Sequence, residues 1–457
     1  MESATGTRPQ KGEELELEID ALAYGGAGVA RRDGYVLFVQ GAVPGDRVRA
    51  RVTRRKRAYA EARVLELIDP SPDRIDVRAP HPGASWQVLP YERQLAEKES
   101  QVREALARIG GFEEAPVEPI VPAVEPWRYR NKLEYSFGES DDGGDGGLVL
   151  GFHKPGRWNE IDDVSEDILA SERVDSVRET IKAWCREEGL SAYDRRSGSG
   201  FLRNLVVREG RRSGQLQARL VTSEGDFRAQ ELADTLDVAG VLWTRTAGVA
   251  ETTREGETDL LKGSSTIDEE LTCAGERLRF RISPDAFFQT NTEMAERLYG
   301  AAVELAELSG RERVYDLFSG IGTIALALAP AAGEVWGIEL VEQAVADALE
   351  NAKLNGIDNA RFYAGDVRTA LRPLRAEAGA PDVLVVDPPR AGLSQKVVRR
   401  IVETGARRIV YVSCNPTTLA PNARQLADAG WVLDRVRPVD MFPQTPHIEC
   451  VAQLSLR

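Results

Sequence analysis

Disulfide frameworks, apolar membrane-length runs and a net basic surface are all missing from this 457-residue chain. Its four cysteines, Cys185, Cys273, Cys414 and Cys450, are too few and too scattered to staple a scaffold. No run of about 18 apolar residues suggests a membrane span. Residues 1–14 are polar and lack the apolar stretch of a secretory leader, so a cytoplasmic protein is the expectation. The formal net charge is −14, whereas a protein gripping nucleic acid with its whole surface is usually basic. What is present is apolar material, 42% of the chain, enough for the cores of two or three domains.

Positive charge is concentrated locally. Arg47, Arg49, Arg51, Arg54, Arg55, Lys56 and Arg57 lie within one stretch that contains no acid. Such a stretch either guards a strand edge against aggregation or meets phosphate. In an acidic chain phosphate is the better reading, with Arg54, Arg55 and Arg57 as candidate contacts. Residues 15–21, 35–39, 47–52 and 61–67 read as short strands separated by turn signals at Gly25-Gly26 and Pro44-Gly45-Asp46. That spacing predicts a small OB-type β-barrel over residues 1–72, a fold often used on nucleic acid.

Residues 73–282 read as a β-rich central unit without a catalytic motif of its own. It holds a helix over 91–109, a proline-rich stretch over 116–126, a helix over 171–188 and a glycine-rich hairpin tip, expected to be mobile, over 140–147. Strands are expected at 132–137, 148–153, 204–207, 215–221, 240–246 and 277–282. From residue 283 helices and strands alternate. Helices are expected at 293–308, up to Leu328, at 341–355 and at 421–429. Strands are expected at 313–317, 334–338, 360–363, 383–386, 408–412, 431–436 and from Ile448. This rhythm predicts an α/β, Rossmann-like, doubly wound and mostly parallel sheet over 283–457.

Sheets of that kind bind ligands beyond the carboxyl ends of their strands. The loop Asp316-Leu317-Phe318-Ser319-Gly320-Ile321-Gly322-Thr323 follows the first such strand, and its glycines let the backbone approach a ligand closely. Glu339 ends the second strand, where an acid can bond a ribose hydroxyl pair, and Asp366 ends the third, within reach of an adenine amino group. A nicotinamide dinucleotide and S-adenosylmethionine both fit. Acids ending three successive strands suit the cationic sulfonium of S-adenosylmethionine better. Ordinary helix capping is the alternative role for Glu339 and Asp366.

Asp387 and Cys414 end the strands at 383–386 and 408–412, placing a carboxylate and a thiol at two neighbouring tips. A thiolate added to carbon 6 of uracil turns carbon 5 into an enolate carbon able to accept a methyl group. A base must then remove the carbon 5 proton so that the thiol can leave. Cys414 fits the first task, ahead of a helix N-terminus expected to favour thiolate, and Glu449 the second. The bland alternatives are a buried small hydrophobe for Cys414 and a solvent-facing strand position for Glu449.

Asp387-Pro388-Pro389-Arg390-Ala391-Gly392 followed by Ile409-Val410-Tyr411-Val412-Ser413-Cys414-Asn415-Pro416 resembles the first signature of the RNA uracil-5-methyltransferases. Phe442-Pro443-Gln444-Thr445, with His447 and Glu449, resembles their second, and Phe287-Phe288-Gln289-Thr290-Asn291 and the Asp316 loop add two more matches. The N-terminal barrel resembles the RNA-binding TRAM domain of some members. The resemblance implies Cys414 as nucleophile and Glu449 as base. It implies Gln289, Phe318, Gly320, Thr323, Glu339, Asp366 and Asp387 at the cofactor. Gln289 and Asp387 would also touch the uracil, with Phe287 or Phe288 stacking on the flipped base. The 91–109 helix is expected to pack on the catalytic unit. Members with a TRAM domain often carry an iron–sulfur cluster on four cysteines, three of them just before that helix. Residues 79–87 contain none, so no cluster and no metal is expected.

The expected activity is therefore S-adenosylmethionine-dependent methylation of carbon 5 of a uridine in structured RNA, ribosomal RNA ahead of transfer RNA, with no membrane partner. The rivals are an RNA cytosine-5-methyltransferase, in which Pro-Cys rather than Ser413-Cys414 is typical, and a catalytically silent RNA-binding protein.

Overall fold

The computed structural model describes residues 8–140, 147–154, 156–248 and 256–457. The hairpin tip expected over 140–147 lies almost wholly outside the described residues.

The N-terminal strands, Glu14–Glu18, Ala21–Leu22, Gly28–Arg32, Tyr35–Gln40, Arg47–Arg55 and Tyr59–Asp69, form one six-stranded sheet around its own core. Alternation dictates its two faces. In Arg47–Arg55, Val48, Ala50 and Val52 point inward and the arginines outward. The basic stretch is less free than its sequence suggested. Arg47, Arg49, Arg51 and Arg54 pair with Asp69, Glu66, Glu14 and Glu61, acids that sequence distance had hidden and strand pairing brings opposite.

The central unit is a seven-stranded mixed sheet with the helix Glu172–Glu187 packed on its core. The strands Arg157–Asp163 and Glu257–Gly263 were not read from the sequence. They are its charged outer strands, where burial imposes little apolar pattern. The hairpin Ile267–Cys273 with Glu276–Ile282 forms a separate two-stranded sheet. Its Ile267, Leu271, Phe280 and Ile282 share a core with Met294 and Leu298 of the helix Thr292–Ala306. The apolar core of the C-terminal unit thus begins before residue 283.

Seven strands make the catalytic sheet: Arg313–Leu317, Glu334–Glu339, Ala360–Ala364, Val383–Val386, Arg408–Ser413, Trp431–Val439 and Glu449–Leu456. In space they run third, second, first, fourth, fifth, seventh, sixth. The first five pair in parallel, and the seventh is antiparallel to both its neighbours. The runs Val383–Val386 and Ile409 to Val412 are wholly buried, as central strands covered on both faces require. Two covering helices, Val367–Ala378 and Gln395–Thr404, had escaped the sequence reading because arginine-rich outer faces and Pro373 disguise them. The helix expected from residue 421 starts at Pro416, a position that suits proline, and the Asn415 side chain caps it by accepting from Thr417 N at 3.0 Å.

The early helix Tyr91–Arg108 packs against the helix Pro416–Asp428, with Val102 and Leu106 in the same core as Leu419 and Leu426. Strand order reverses between the first and fourth strands, and a crevice opens there.

Candidate active site

A cavity of about 800 Å³ fills that crevice. Its lining includes Phe287, Gln289, Phe318, Gly320, Glu339, Asp366, Asp387, Cys414 and Glu449 together, residues drawn from positions more than 160 apart in the chain. Strand pairing explains the convergence. Val386 pairs with Tyr411 in parallel, so Asp387 and Cys414 leave neighbouring strands on the same side of the sheet. Ser413 pairs with Cys450 in antiparallel, so Glu449 starts the next strand beside Cys414.

The Asp316–Thr323 turn forms the opposite wall. Gly322 takes a φ of +86°, and a Cβ there would lie 2.9 Å from the Phe362 ring, so the helix Thr323–Leu328 can begin only with glycine at that point. Phe318 holds a φ of +71°, a strained position for a non-glycine residue, and lines the cavity. Glu339 spans the turn: its carboxylate accepts from Gly320 N at 3.0 Å and from Val341 N at 2.9 Å. Asp366 accepts from Arg368 N at 2.8 Å and caps the helix Val367–Ala378, so capping and a place in the cavity wall coexist there.

Electrostatics select the ligand's charge. Asp316 is buried, and its carboxylate has no side-chain partner among the described residues, with only the Ala325 backbone N–H favouring its charged form. Burial, then the neighbouring Asp387 and Glu339, push it up to about 8. Burial alone pushes Asp387 up to about 7. Glu449 is raised well above the carboxylate range by burial and then by Asp387. A cavity lined by Glu339, Asp366, Asp387 and Glu449 suits a cation such as the sulfonium and ammonium of S-adenosylmethionine better than a pyrophosphate. The same acids overturn one expectation. Cys414 is pushed up to about 11 by burial, then by Glu449 and Asp387, against a smaller lowering by Arg390. The helix N-terminus at Pro416 does not outweigh burial and these acids.

Two other expectations need correction. Phe288 is buried in the core with its ring 5.9 Å from that of Phe280, so it cannot stack on a base, whereas Phe287 is 60% exposed and lines the cavity. Thr323 turns its hydroxyl to Tyr299 at 3.3 Å and is absent from the cavity wall. Arg54, Arg55 and Arg57, expected at RNA phosphates rather than at the cofactor, lie at the end of a barrel strand and in the following turn.

Sequence reasoning had assigned no role to Arg390 or His447, which also line the cavity. His447 is pushed down to about 4 by burial, then by Arg390, Arg130 and Lys98, and stands neutral. The loop carrying it is clamped from the early helix. Lys98 Nζ meets Asp440 Oδ1 at 2.6 Å with both side chains fully buried, and the Tyr91 hydroxyl donates to the other Asp440 oxygen at 2.8 Å. Gln94 bonds both the side chain and the backbone N–H of Gln444. Where a cysteine-bound cluster was judged absent, His81 instead meets Asp167 at 3.0 Å and Trp86 is buried. Among the described residues no group of three or more His, Cys, Asp or Glu side chains is arranged to hold a metal. No described helix is long and apolar enough to cross a membrane.

The sheet order, the glycine turn and the acid-lined crevice define a class I S-adenosylmethionine-dependent methyltransferase. Comparison with known proteins narrows that class. Residues 228–457 match the family model described as tRNA (uracil-5-)-methyltransferase, and residues 8–65 match the TRAM domain. An uncharacterized RNA methyltransferase of Halalkalibacterium halodurans is 38% identical, with 98% of each chain covered. Another, of Gloeobacter violaceus, is 39% identical, with 97% of each covered. The crystal structure of Pyrococcus abyssi tRNA (uracil-54, C5)-methyltransferase in complex with S-adenosyl-L-homocysteine superposes with a TM-score of 0.78 at 29% identity, covering 96% of this chain and all of that one. The chain belongs to the tRNA (uracil-5-)-methyltransferase family of RNA methyltransferases.

Proposed function

We propose that the protein methylates carbon 5 of a uridine in structured RNA through a covalent adduct between Cys414 and carbon 6. The observation that carries this reading is the placement of Cys414 and Glu449 on adjacent strand ends inside the cavity that Glu339, Asp366 and the glycine turn also wall. S-adenosylmethionine, when bound, supplies the electrophilic methyl group. Glu339 would hold its ribose hydroxyls, Asp366 and the exposed Leu340 and Val341 its adenine, and Gln289 its charged end.

Phe287 would stack on the extruded uracil, and Asp387 would hold its polar edge. The Cys414 thiol gives its proton to solvent and its sulfur bonds to carbon 6. The electron pair of the 5,6 double bond moves onto the ring as an enolate, and carbon 5 takes the methyl group. The Glu449 carboxylate then removes the carbon 5 proton. That electron pair restores the double bond and expels the Cys414 thiolate, which takes a proton back from solvent. The balance is one C–H replaced by one C–CH3 with release of a proton. Raised basicity suits Glu449 to that last abstraction, since a stronger base gains more from taking the proton.

The target is a uridine of ribosomal RNA, for which the barrel speaks, or of transfer RNA, on which the Pyrococcus relative acts by its description. Incubation with methyl-labelled S-adenosylmethionine and separate ribosomal and transfer RNA pools lacking 5-methyluridine decides between them. Label in 5-methyluridine from one pool supports the reading and names the substrate class. Label in 5-methylcytidine would install the cytosine rival.

A further inference from the structure

The N-terminal barrel reaches the nucleophile itself. Its turn at residues 23–27 is closed by hydrogen bonds from Ala23 N to Ala27 O at 2.8 Å and from Gly26 N to Ala23 O at 2.9 Å. Tyr24, at the tip, leaves the barrel and donates its hydroxyl to the backbone carbonyl of Cys414 at 3.1 Å, across 390 residues of sequence. Its ring packs on the core of the catalytic sheet. Arg390 lines the cavity together with Cys414, and its charge acts on both the Tyr24 hydroxyl and the Cys414 thiol. Asn415 and Thr418 in turn hold the Arg390 carbonyl at 3.3 and 3.5 Å.

The docking is built, not incidental. Gly26 takes a φ of +88°, and a Cβ there would lie 2.9 Å from Pro446 and 3.0 Å from the Trp86 indole nitrogen. Only glycine lets the turn approach the loop that carries His447 and Glu449 so closely. Gln101, on the early helix, donates to Ala23 O at 3.5 Å.

We propose that Tyr24 is a positioning residue of the methyl transfer: its hydroxyl, held in place by the docked barrel turn, fixes the Cys414 backbone and the Arg390 guanidinium beside the thiol. The barrel then does more than bind RNA, since its seating on the catalytic unit sets the nucleophile's environment. The inference deepens the reading of Cys414 as nucleophile and rests on it. The thiol is faced by Glu449, Asp387 and Arg390, with Tyr24, Tyr411 and Cys450 close by. Arg390 is the single cation among them. Loosening it should make the thiolate harder to form.

The test is Tyr24→Phe in the full chain, which keeps the ring and removes the hydroxyl. The first readout needs no RNA: the pH dependence of Cys414 alkylation by iodoacetamide, followed by mass spectrometry of the Cys414 peptide. The midpoint should move to higher pH. The second is the single-turnover rate of RNA methylation, which should fall about tenfold, the worth of one hydrogen bond, while RNA affinity changes less than about twofold. Gly26→Val, which pushes the turn off Pro446, should reproduce both effects. An unchanged or lowered alkylation midpoint overturns the proposal, as does a loss confined to RNA affinity. Should the protein prove unable to methylate any uridine, the alkylation profile still decides the role of Tyr24.

Discussion

Ser413 pairs with Cys450 across the fifth and seventh strands of the catalytic sheet, and Cys414 and Glu449 follow at the end of that ladder, both lining the cavity. The proposed nucleophile for one ring carbon and the proposed base for its neighbour thus come from the end of one strand pairing, where the only antiparallel strand of the described catalytic sheet enters between two others.

The first prediction concerns the base. Glu449→Gln keeps the shape and removes the proton acceptor, so methyl transfer should proceed and elimination should stall. Turnover should fall about 10³-fold, and a protein–RNA adduct should survive a denaturing gel. Normal turnover without an adduct would remove Glu449 from the role.

Phe287 and Phe288, adjacent in sequence, should part company on mutation. Phe287→Ala should weaken RNA binding by about 1–3 kcal/mol, the worth of one stacked base, and leave melting unchanged. Phe288→Ala should destabilise the fold by about 3–5 kcal/mol, since it empties a core position. Equal effects of the two on RNA affinity would contradict the assignment of one ring to the cavity and the other to the core.

The catalytic region was legible because its chemistry sits at strand ends, where buried apolar runs stop and a functional residue follows. Val383–Val386 before Asp387 and Ile409 to Val412 before Cys414 announce themselves. Phe287 and Phe288 carry identical side chains on neighbouring residues, so only the path of the backbone tells which one is exposed. Tyr24 gave no sequence signal, because its partner lies 390 residues away and is a backbone carbonyl. The acids opposite Arg47 to Arg54 were hidden in the same way: ion pairing across a sheet depends on register, which charge counting along one strand does not reveal.

Stability should fall as pH rises. Asp316 and Asp387 have folded values of about 8 and about 7 against an ordinary 3.8, so the fold disfavours their charged forms. Their contribution is fully present below the unfolded value and is lost as pH climbs through the folded ones. Asp316→Asn removes one such group, so its melting temperature should exceed that of the wild type at about pH 9 and not at about pH 4. Parallel pH profiles for the two proteins would contradict the burial of a carboxylate without a side-chain partner.

Lys98→Met should be costly. It leaves Asp440 buried without its counter-charge, and breaking a buried pair of this kind costs about 3–5 kcal/mol. The double variant Lys98→Met with Asp440→Leu should recover part of the stability. Failure of the second change to restore any would mean the pair serves packing rather than charge balance.

Neutralising Arg54, Arg55 and Arg57 together should lower the slope of log affinity for RNA against log salt by about 2. An unchanged slope would leave those side chains as a solvated strand end.

The account stands or falls on Cys414. Methyl-labelled S-adenosylmethionine, an RNA pool lacking 5-methyluridine, and the wild-type and Cys414→Ala proteins side by side test it most directly, read by nucleoside analysis. The account predicts label in 5-methyluridine with the wild type and none with Cys414→Ala. Label in 5-methyluridine from Cys414→Ala at the wild-type rate would contradict it.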